Sequence, residues 1–337
     1  MKAKIKPRID LENRTRLETV IPLTTPYVIF VDPSDVCNFH CKFCPTGDIA
    51  LMKQVGRSLK VMDFDLYKKI IDDICEFEKP IKVLRLYKDG EPLINPHFTD
   101  MIRYAKVKKC AARIDTTTNA SFLNPKINLE MIAAGIDRIN ISIEGVNAEQ
   151  YAIFSNSTVD FDKLIANIRH LYEHRGSCEI IIKIPGDDLS EDDKKKFYDI
   201  FGEIADGVYI EHVMSCWPEF ELKNIAVNQN VGIYGQPIKE VQVCPYVFYS
   251  FSINSDGLAS LCFLDWSRKL IIGDARKESV KDIWKSQKLI DYQKMFLEKK
   301  RKEHPVCRDC GQLSHGLPDD IDAYAEELLK KIKNSYE

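Results

Sequence analysis

From residue 27 onward, short runs of β-branched and aromatic residues alternate with longer segments in which apolar residues recur at spacings of three and four. This is the pattern of repeated βα units built on a parallel sheet. It predicts strands over 27–31, 81–87, 112–117, 137–143, 178–184 and 207–213, with helices over 64–78, 97–109, 126–134, 159–174 and 190–204. In the first of these helices Phe64, Leu66, Tyr67, Ile70, Ile71 and Ile74 recur at helical spacing, and Asp63 stands where an N-cap would. Six strands predict an α/β fold, a partial (β/α)6 TIM-like barrel over 27–220, whose chemistry belongs at the C-terminal ends of the strands.

The pattern fails on both sides of this region. Residues 1–26 are polar, carry Pro22 and Pro26, and read as a lead-in too short to be a separate peptide-recognition domain. Past 220 the alternation stops, and 224–237, rich in Asn, Gly and Gln, reads as a linker to a smaller hairpin-and-helix unit over 238–315. That unit contains a hairpin turn at Asn254-Ser255-Asp256-Gly257. In the final segment, 316–337, Ile321, Tyr324, Leu328, Leu329 and Ile332 predict a helix that packs back on the barrel.

Charge excludes some partners. Forty-eight basic residues against 51 acidic ones leave a net of −3, without the basic excess of a nucleic-acid-binding domain. No apolar stretch is long enough to cross a membrane and the N-terminus has no signal-like apolar core, so a cytoplasmic protein is expected. Eleven cysteines make an odd number for a disulfide framework, and their clustering suits metal binding. Cys75, Cys110 and Cys178 stand apart and read as plain thiols.

Cys37, Cys41 and Cys44 form a C-x3-C-x2-C run directly after the first strand. Thiolate is the soft ligand selected by iron–sulfur clusters and zinc, so two readings stand: a cluster with one iron left open, or a zinc knuckle completed by His40 or a distant residue. Further on, Cys244 and Cys262 flank the hairpin as C-x12-G-x4-C with Gly257, and Cys307 and Cys310 follow as C-x2-C. Four such thiols can saturate one centre, zinc or iron–sulfur.

With Phe43 before its last cysteine, the run resembles the radical S-adenosylmethionine (radical SAM) superfamily. Asp89-Gly90-Glu91-Pro92 after the second strand is similar to that family's GGEP motif, with Asp89 in place of the first glycine. Thr118-Asn119-Ala120 after the third resembles its TNG segment, and Ser142-Ile143-Glu144-Gly145 after the fourth its SIDG segment. The second cysteine set resembles the twitch or SPASM-like domain, with four cysteines where a full SPASM domain has seven. The resemblance implies two 4Fe-4S clusters. One is held by Cys37, Cys41 and Cys44 and binds SAM at its open iron; the other is an auxiliary cluster on Cys244, Cys262, Cys307 and Cys310. It implies SAM contacts from Phe43, Asp89, Gly90, Glu91, Asn119, Ser142 and Glu144.

It further implies reductive cleavage of SAM to a 5′-deoxyadenosyl radical that abstracts a hydrogen atom, with a flavodoxin or ferredoxin as reductant. The saturated auxiliary cluster is similar to that of the radical SAM dehydrogenase acting on an aminocyclitol. A small-molecule substrate is therefore expected, a sugar, aminocyclitol or nucleotide-sugar undergoing dehydrogenation or epimerisation. Peptide modification, by thioether formation, epimerisation or oxidation, is the same-class alternative, and a non-catalytic metal-binding or electron-transfer protein the different-class one. Cys216 is a candidate hydrogen donor for epimerisation, Asp265 a candidate proton acceptor for oxidation, and Trp217, beside Cys216 in the stretch 213–218, a candidate substrate contact.

Overall fold

The computed structural model of the chain describes residues 1–10, 13–217, 219–222 and 224–336. Pro218, at the end of the stretch that carries Cys216, lies outside the described residues. Six parallel strands follow the alternation read from sequence: β2 (Val28–Val31), β3 (Ile81–Arg85), β4 (Ala111–Thr118), β5 (Arg138–Ser142), β6 (Glu179–Pro185) and β7 (Gly207–Glu211). Between them run α2 (Phe64–Ile74), α3 (Phe98–Lys108), α4 (Pro125–Ala134), α6 (Phe161–His174) and α7 (Glu191–Phe201). Asp63 caps α2 by accepting from the amides of Asp65 and Leu66. One face of the sheet, with Ile139, Ile141, Ile180 and Ile182 fully buried, meets helix residues such as Ile70, Met101, Ile168 and Phe201 in a continuous apolar core.

The opposite face, turned into the barrel, is polar. Register places Arg85, Asp115, Arg138 and Glu179 side by side across β3 to β6, a rung of alternating charge. Above it lie Thr117 beside Asn140, then Ser142 beside Lys183. A packed TIM barrel fills these positions with branched apolar side chains. Here they leave a polar interior that opens at the mouth.

Several expectations need correction. The lead-in is more than a polar approach, because Lys4–Ile5 forms β1, paired in parallel with β7 at the far edge of the sheet. The C-terminal hairpin does not form a sheet of its own. Its first strand, β8 (Ser250–Ile253), pairs in parallel with β2, followed by antiparallel β9 (Leu258–Ser260) and β10 (Ile271–Asp274). The described strands thus form one ten-stranded sheet in the order β1-β7-β6-β5-β4-β3-β2-β8-β9-β10. The helix expected over 159–174 begins at Phe161, and a separate helix, α5 (Ala148–Ser155), precedes it. A short α1 (Ile49–Gln54) follows the cysteine run.

Beyond the hairpin come α8 (Val280–Trp284), α9 (Gln287–Leu297) and α10 (Gln312–His315). The last helix, α11 (Ala325–Tyr336), packs on α9 of the C-terminal region, with Leu328 and Ile332 in the continuous core, and Tyr324 from its expected apolar stripe is exposed. At the turn between β8 and β9, Gly257 has a φ of +87°, the left-handed geometry glycine adopts freely.

Candidate active site

The cysteine run leaves β2 and folds over the end of α5. The amides of His40 and Lys42 donate to the carbonyls of Ser155 and Phe154 at 2.9 and 3.0 Å. Cys37, Cys41 and Cys44 are half-buried and free of disulfides. Burial, helped by the facing carboxylates of Glu91 and Glu144, pushes the Cys37 thiol up to about 12. Burial also raises Cys41 and Cys44. Such thiols are poor nucleophiles, and a bound metal is what converts them to thiolates. Among the described residues no set of three ligand atoms that includes a cysteine or His40 lies within 4.8 Å of one another. The amide of Phe39 donates to Cys37 Sγ at 3.5 Å and that of Leu264 to Cys262 Sγ at 3.4 Å.

The motif residues around this run divide into those that brace it and those that face open space. Gly90 braces: a Cβ there would stand 2.3 Å from the carbonyl oxygens of both Ser34 and Val36, so only glycine allows the two loops to touch. Glu91 is buried with its carboxylate turned inward, accepting from Thr118 Oγ1 at 2.6 Å and from the amides of Leu93 and Asn119 at 3.1 and 2.8 Å. Asn119 donates to Cys37 Sγ at 3.8 Å and to Asn38 Oδ1 at 3.0 Å. The Asp89 carboxylate is held by Lys88 at 2.5 Å, Arg57 at 2.9 Å and Arg268 at 3.4 Å. Its side chain is thus tied into an ion network on the wall of the cavity at the barrel mouth.

Phe43, Ser142 and Glu144 face a cavity of about 510 Å³ at the barrel mouth, with Cys44 beside them. Glu144 Oε2 is buried with no hydrogen-bond partner among the described residues, and burial pushes this carboxyl up to about 7. An orphaned acceptor on a cavity wall is what a ligand bearing hydroxyl groups, such as the ribose of SAM, would complete.

A second chamber of about 50 Å³ is lined by Cys244, Cys262, Cys307 and Cys310 within an apolar shell that includes Val247, Leu261, Trp266 and Phe296. Cys216 is buried and lies on the walls of both this chamber and the mouth cavity, and burial raises its thiol well above the usual range. Trp217 faces the mouth cavity alone.

Asp265, the candidate proton acceptor, lines the small chamber, where its two oxygens accept from the amides of Lys269 and Leu270 at 2.9 and 3.1 Å and brace the loop. The sequence reading missed Arg8, Arg85, Thr117, Lys183 and Glu211, all on the cavity wall. The signal was available in β4, where Arg113, Asp115 and Thr117 put a polar residue at every second position of a strand covered on both faces.

Two family models match the chain: the radical SAM superfamily over residues 31–197, and an iron-sulfur cluster-binding domain over 244–311. The chain belongs to the radical SAM superfamily. This radical SAM protein is 24% identical to the tungsten-containing aldehyde ferredoxin oxidoreductase cofactor-modifying protein of Pyrococcus furiosus, over 84% of the chain and 86% of that protein. It is 21% identical to the S-adenosyl-L-methionine-dependent 2-deoxy-scyllo-inosamine dehydrogenase of Niallia circulans, over 88% of the chain and 96% of the relative. The AdoMet-dependent heme synthase of Methanosarcina barkeri is 31% identical, but over only 40% of the chain and 36% of the synthase. The fold resembles the crystal structure of BtrN in complex with AdoMet and 2-DOIA, with a TM-score of 0.54 at 19% identity, covering 88% of this chain and 97% of that one. The protein is therefore a radical SAM enzyme whose cofactors are SAM and 4Fe-4S clusters. No helix among the described residues is long and apolar enough to cross a membrane.

Proposed function

We propose that this enzyme dehydrogenates or epimerises a small polyol, either a sugar, an aminocyclitol or a nucleotide-sugar. The observation that carries the reading is the mouth cavity. Its volume of about 510 Å³ falls in the range of small-molecule sites, and its wall runs from Phe43 and Cys44 on the cysteine run to Cys216 and Leu264 beside the second chamber. A ligand there would lie between the two cysteine sets. The likeness to a 2-deoxy-scyllo-inosamine dehydrogenase along nearly the whole chain supports the same class.

In this reading Cys37, Cys41 and Cys44 would hold the SAM-binding cluster, and Cys244, Cys262, Cys307 and Cys310 the auxiliary one. Cluster and SAM together supply a 5′-deoxyadenosyl radical when bound, which is the hard chemistry of the site. The chain's own residues do the rest. Glu144 and Ser142 accept and orient ribose hydroxyls. Gly90, Glu91 and Asn119 fix the cysteine run against the β3 and β4 termini. Phe43 and Trp217 cover the cavity and keep water from the reacting carbon.

One hydrogen atom leaves the substrate carbon in either outcome. Oxidation then requires one proton to leave to solvent or a wall side chain and one electron to leave to the auxiliary cluster that Cys244, Cys262, Cys307 and Cys310 would hold, giving a carbonyl. Inversion requires a hydrogen atom to return to the carbon, a role we assign to the Cys216 thiol on the cavity wall, whose thiyl radical then takes one electron and one proton from the external reductant and solvent to be restored. That placement is what favours epimerisation as the second reading.

The test is anaerobic reconstitution, with iron and sulfide counted per chain, followed by assay of 5′-deoxyadenosine release under dithionite and analysis of products from a panel of polyols. The expected result is about eight irons per chain with SAM cleavage. Zinc without cleavage would overturn the reading. If the product is inverted, Cys216→Ala should abolish inversion and spare SAM cleavage, whereas unchanged inversion would reject Cys216 as donor.

A further inference from the structure

Two carboxylates inside the barrel, Glu211 and Asp115, are each shared by two cations, while Arg138 pairs with Glu179 at 3.0 Å and Glu144 faces Lys183. Glu211 serves Lys183 at 2.9 Å and Arg8 at 3.7 Å, and Asp115 serves Arg113 at 3.4 Å and Arg85 at 3.8 Å. Four cations share two carboxylates. The two arginine contacts that reach the mouth cavity are the long ones, beyond hydrogen-bonding distance. Arg8 Nε and Arg85 Nε are accordingly buried with no hydrogen-bond partner among the described residues. The Arg8 guanidinium also meets Tyr234, but a buried N–H left without an acceptor calls for a partner, and on a cavity wall a ligand can supply it.

These two side chains come from distant parts of the chain. Arg8 lies just past β1 at one edge of the sheet, and Arg85 ends β3. Both line the cavity, both sit beside Tyr87, and the positive charge of Arg8 bears on Arg85. Like charges brought together in a low-dielectric cavity repel unless an anion lies between them. The Arg85 guanidinium is also fixed in direction, donating to the Tyr87 hydroxyl at 2.7 Å and lying over the Phe30 ring at 5.3 Å. A held, planar donor set suits the two oxygens of a carboxylate or phosphate.

We propose that the mouth cavity takes a substrate carrying an anionic group, a carboxylate or phosphate, seated between Arg8 and Arg85. This rests on the polyol reading above and narrows it. Within that class it favours a nucleotide-sugar, a sugar phosphate or a uronate, and disfavours a neutral sugar or a cationic aminocyclitol. The lead-in then has a role beyond closing the sheet edge, since it delivers one of the two guanidinium groups.

The experiment uses the full chain with both clusters reconstituted and SAM present. Binding of glucose 6-phosphate, glucuronate, glucose and glucosamine is measured by calorimetry at fixed ionic strength, with 5′-deoxyadenosine release followed in parallel. The expected result is that one or both anionic probes bind and the neutral and cationic ones do not. The pair glucose 6-phosphate and glucuronate separates phosphate from carboxylate. Arg85→Gln and Arg8→Gln should each weaken the preferred anion roughly tenfold or more, the loss of one charge-assisted contact. Arg8→Gln, on an edge segment, stands in if Arg85→Gln does not fold. Equal binding of glucose or glucosamine, no binding of either anion, or anion binding unchanged in both variants would overturn the proposal. The readout of SAM cleavage keeps the two readings apart. Cleavage without anion selectivity sinks only the anionic substrate, whereas no cleavage in the cluster-loaded wild type sinks the reaction itself.

Discussion

Glu144 carries a single-residue consequence that can be read in the stability of the fold. Burial raises its carboxyl from the usual 4.5 to about 7, partly offset by Lys183 and reinforced by Glu211. A carboxyl whose folded value lies above its unfolded value favours the protonated fold. Its contribution is present below about 4.5 and is lost as pH rises through about 7, an effect of roughly 3 kcal/mol at the full shift. With clusters loaded and SAM withheld, melting temperatures of wild type and Glu144→Gln should therefore diverge between pH 5 and 8. The wild type should lose stability as pH rises relative to the variant, which cannot ionise at this position. Parallel profiles would show that Glu144 is hydrated and unperturbed. Glu91 is raised to about 7 as well, but three donors hold its oxygens, so its substitution would also break the junction of β3 and β4.

Among elements, the loop after β9 governs how the C-terminal region meets the motif after β3. Arg268 from that loop donates to Asp35 at 2.7 Å and stands 3.4 Å from Asp89, while Arg57 bonds Asp35 and donates to the Trp266 carbonyl at 2.7 Å. Lys88 adds a bond to the Asp265 carbonyl at 3.2 Å. Asp32, fully buried beside these groups, is pushed up to about 8 by burial and by Asp89 and Asp35, whereas Arg57 and Arg268 overcome burial to hold Asp35 down at about 2. Removing one member of such a buried network leaves its partners uncompensated, at about 3 to 5 kcal/mol. Arg268→Gln should accordingly lower the melting temperature and weaken SAM binding in the cluster-loaded enzyme, although Arg268 is far along the chain from the SAM motifs. Unchanged SAM affinity would confine the network to a structural role.

The parts of this network differ in how far they could be read from sequence. The six central strands were legible from local periodicity and the cysteine runs from local spacing, whereas Gly90-Glu91 was read only through its resemblance to a family motif. Arg268, Arg57 and Asp35 were not, because their meeting depends on the pairing of β8 with β2, a long-range contact that leaves no mark on either segment. Arg8 was hidden for the same reason, β1 being two residues long and fixed only by its neighbour β7. Which chamber Asp265 lines could not be read either, because distance in sequence from Cys262 says nothing about where a side chain enters.

At the scale of the molecule, the shared sheet decides how the chain unfolds. The pairing of Val28, Ile29, Phe30 and Val31 with Ser250, Phe251, Ser252 and Ile253 makes the hairpin's first strand the next strand after β2. The apolar core is likewise continuous, running from Ile29 and Leu84 of the barrel through Phe251 and Ile253 to Trp284 and Leu289. Were the C-terminal region an independent module, loss of its structure would leave the barrel intact. Here its loss would strip β2 of a partner strand and expose core side chains that are now fully buried, so the two parts should unfold as one cooperative unit. Denaturant titration of the cluster-loaded protein should give coincident curves by far-ultraviolet dichroism, which is dominated by the barrel, and by tryptophan emission, to which Trp266 and Trp284 report from the C-terminal region. An emission change that precedes the loss of dichroism would instead make the auxiliary region a separable body and weaken the case that it helps shape the mouth cavity.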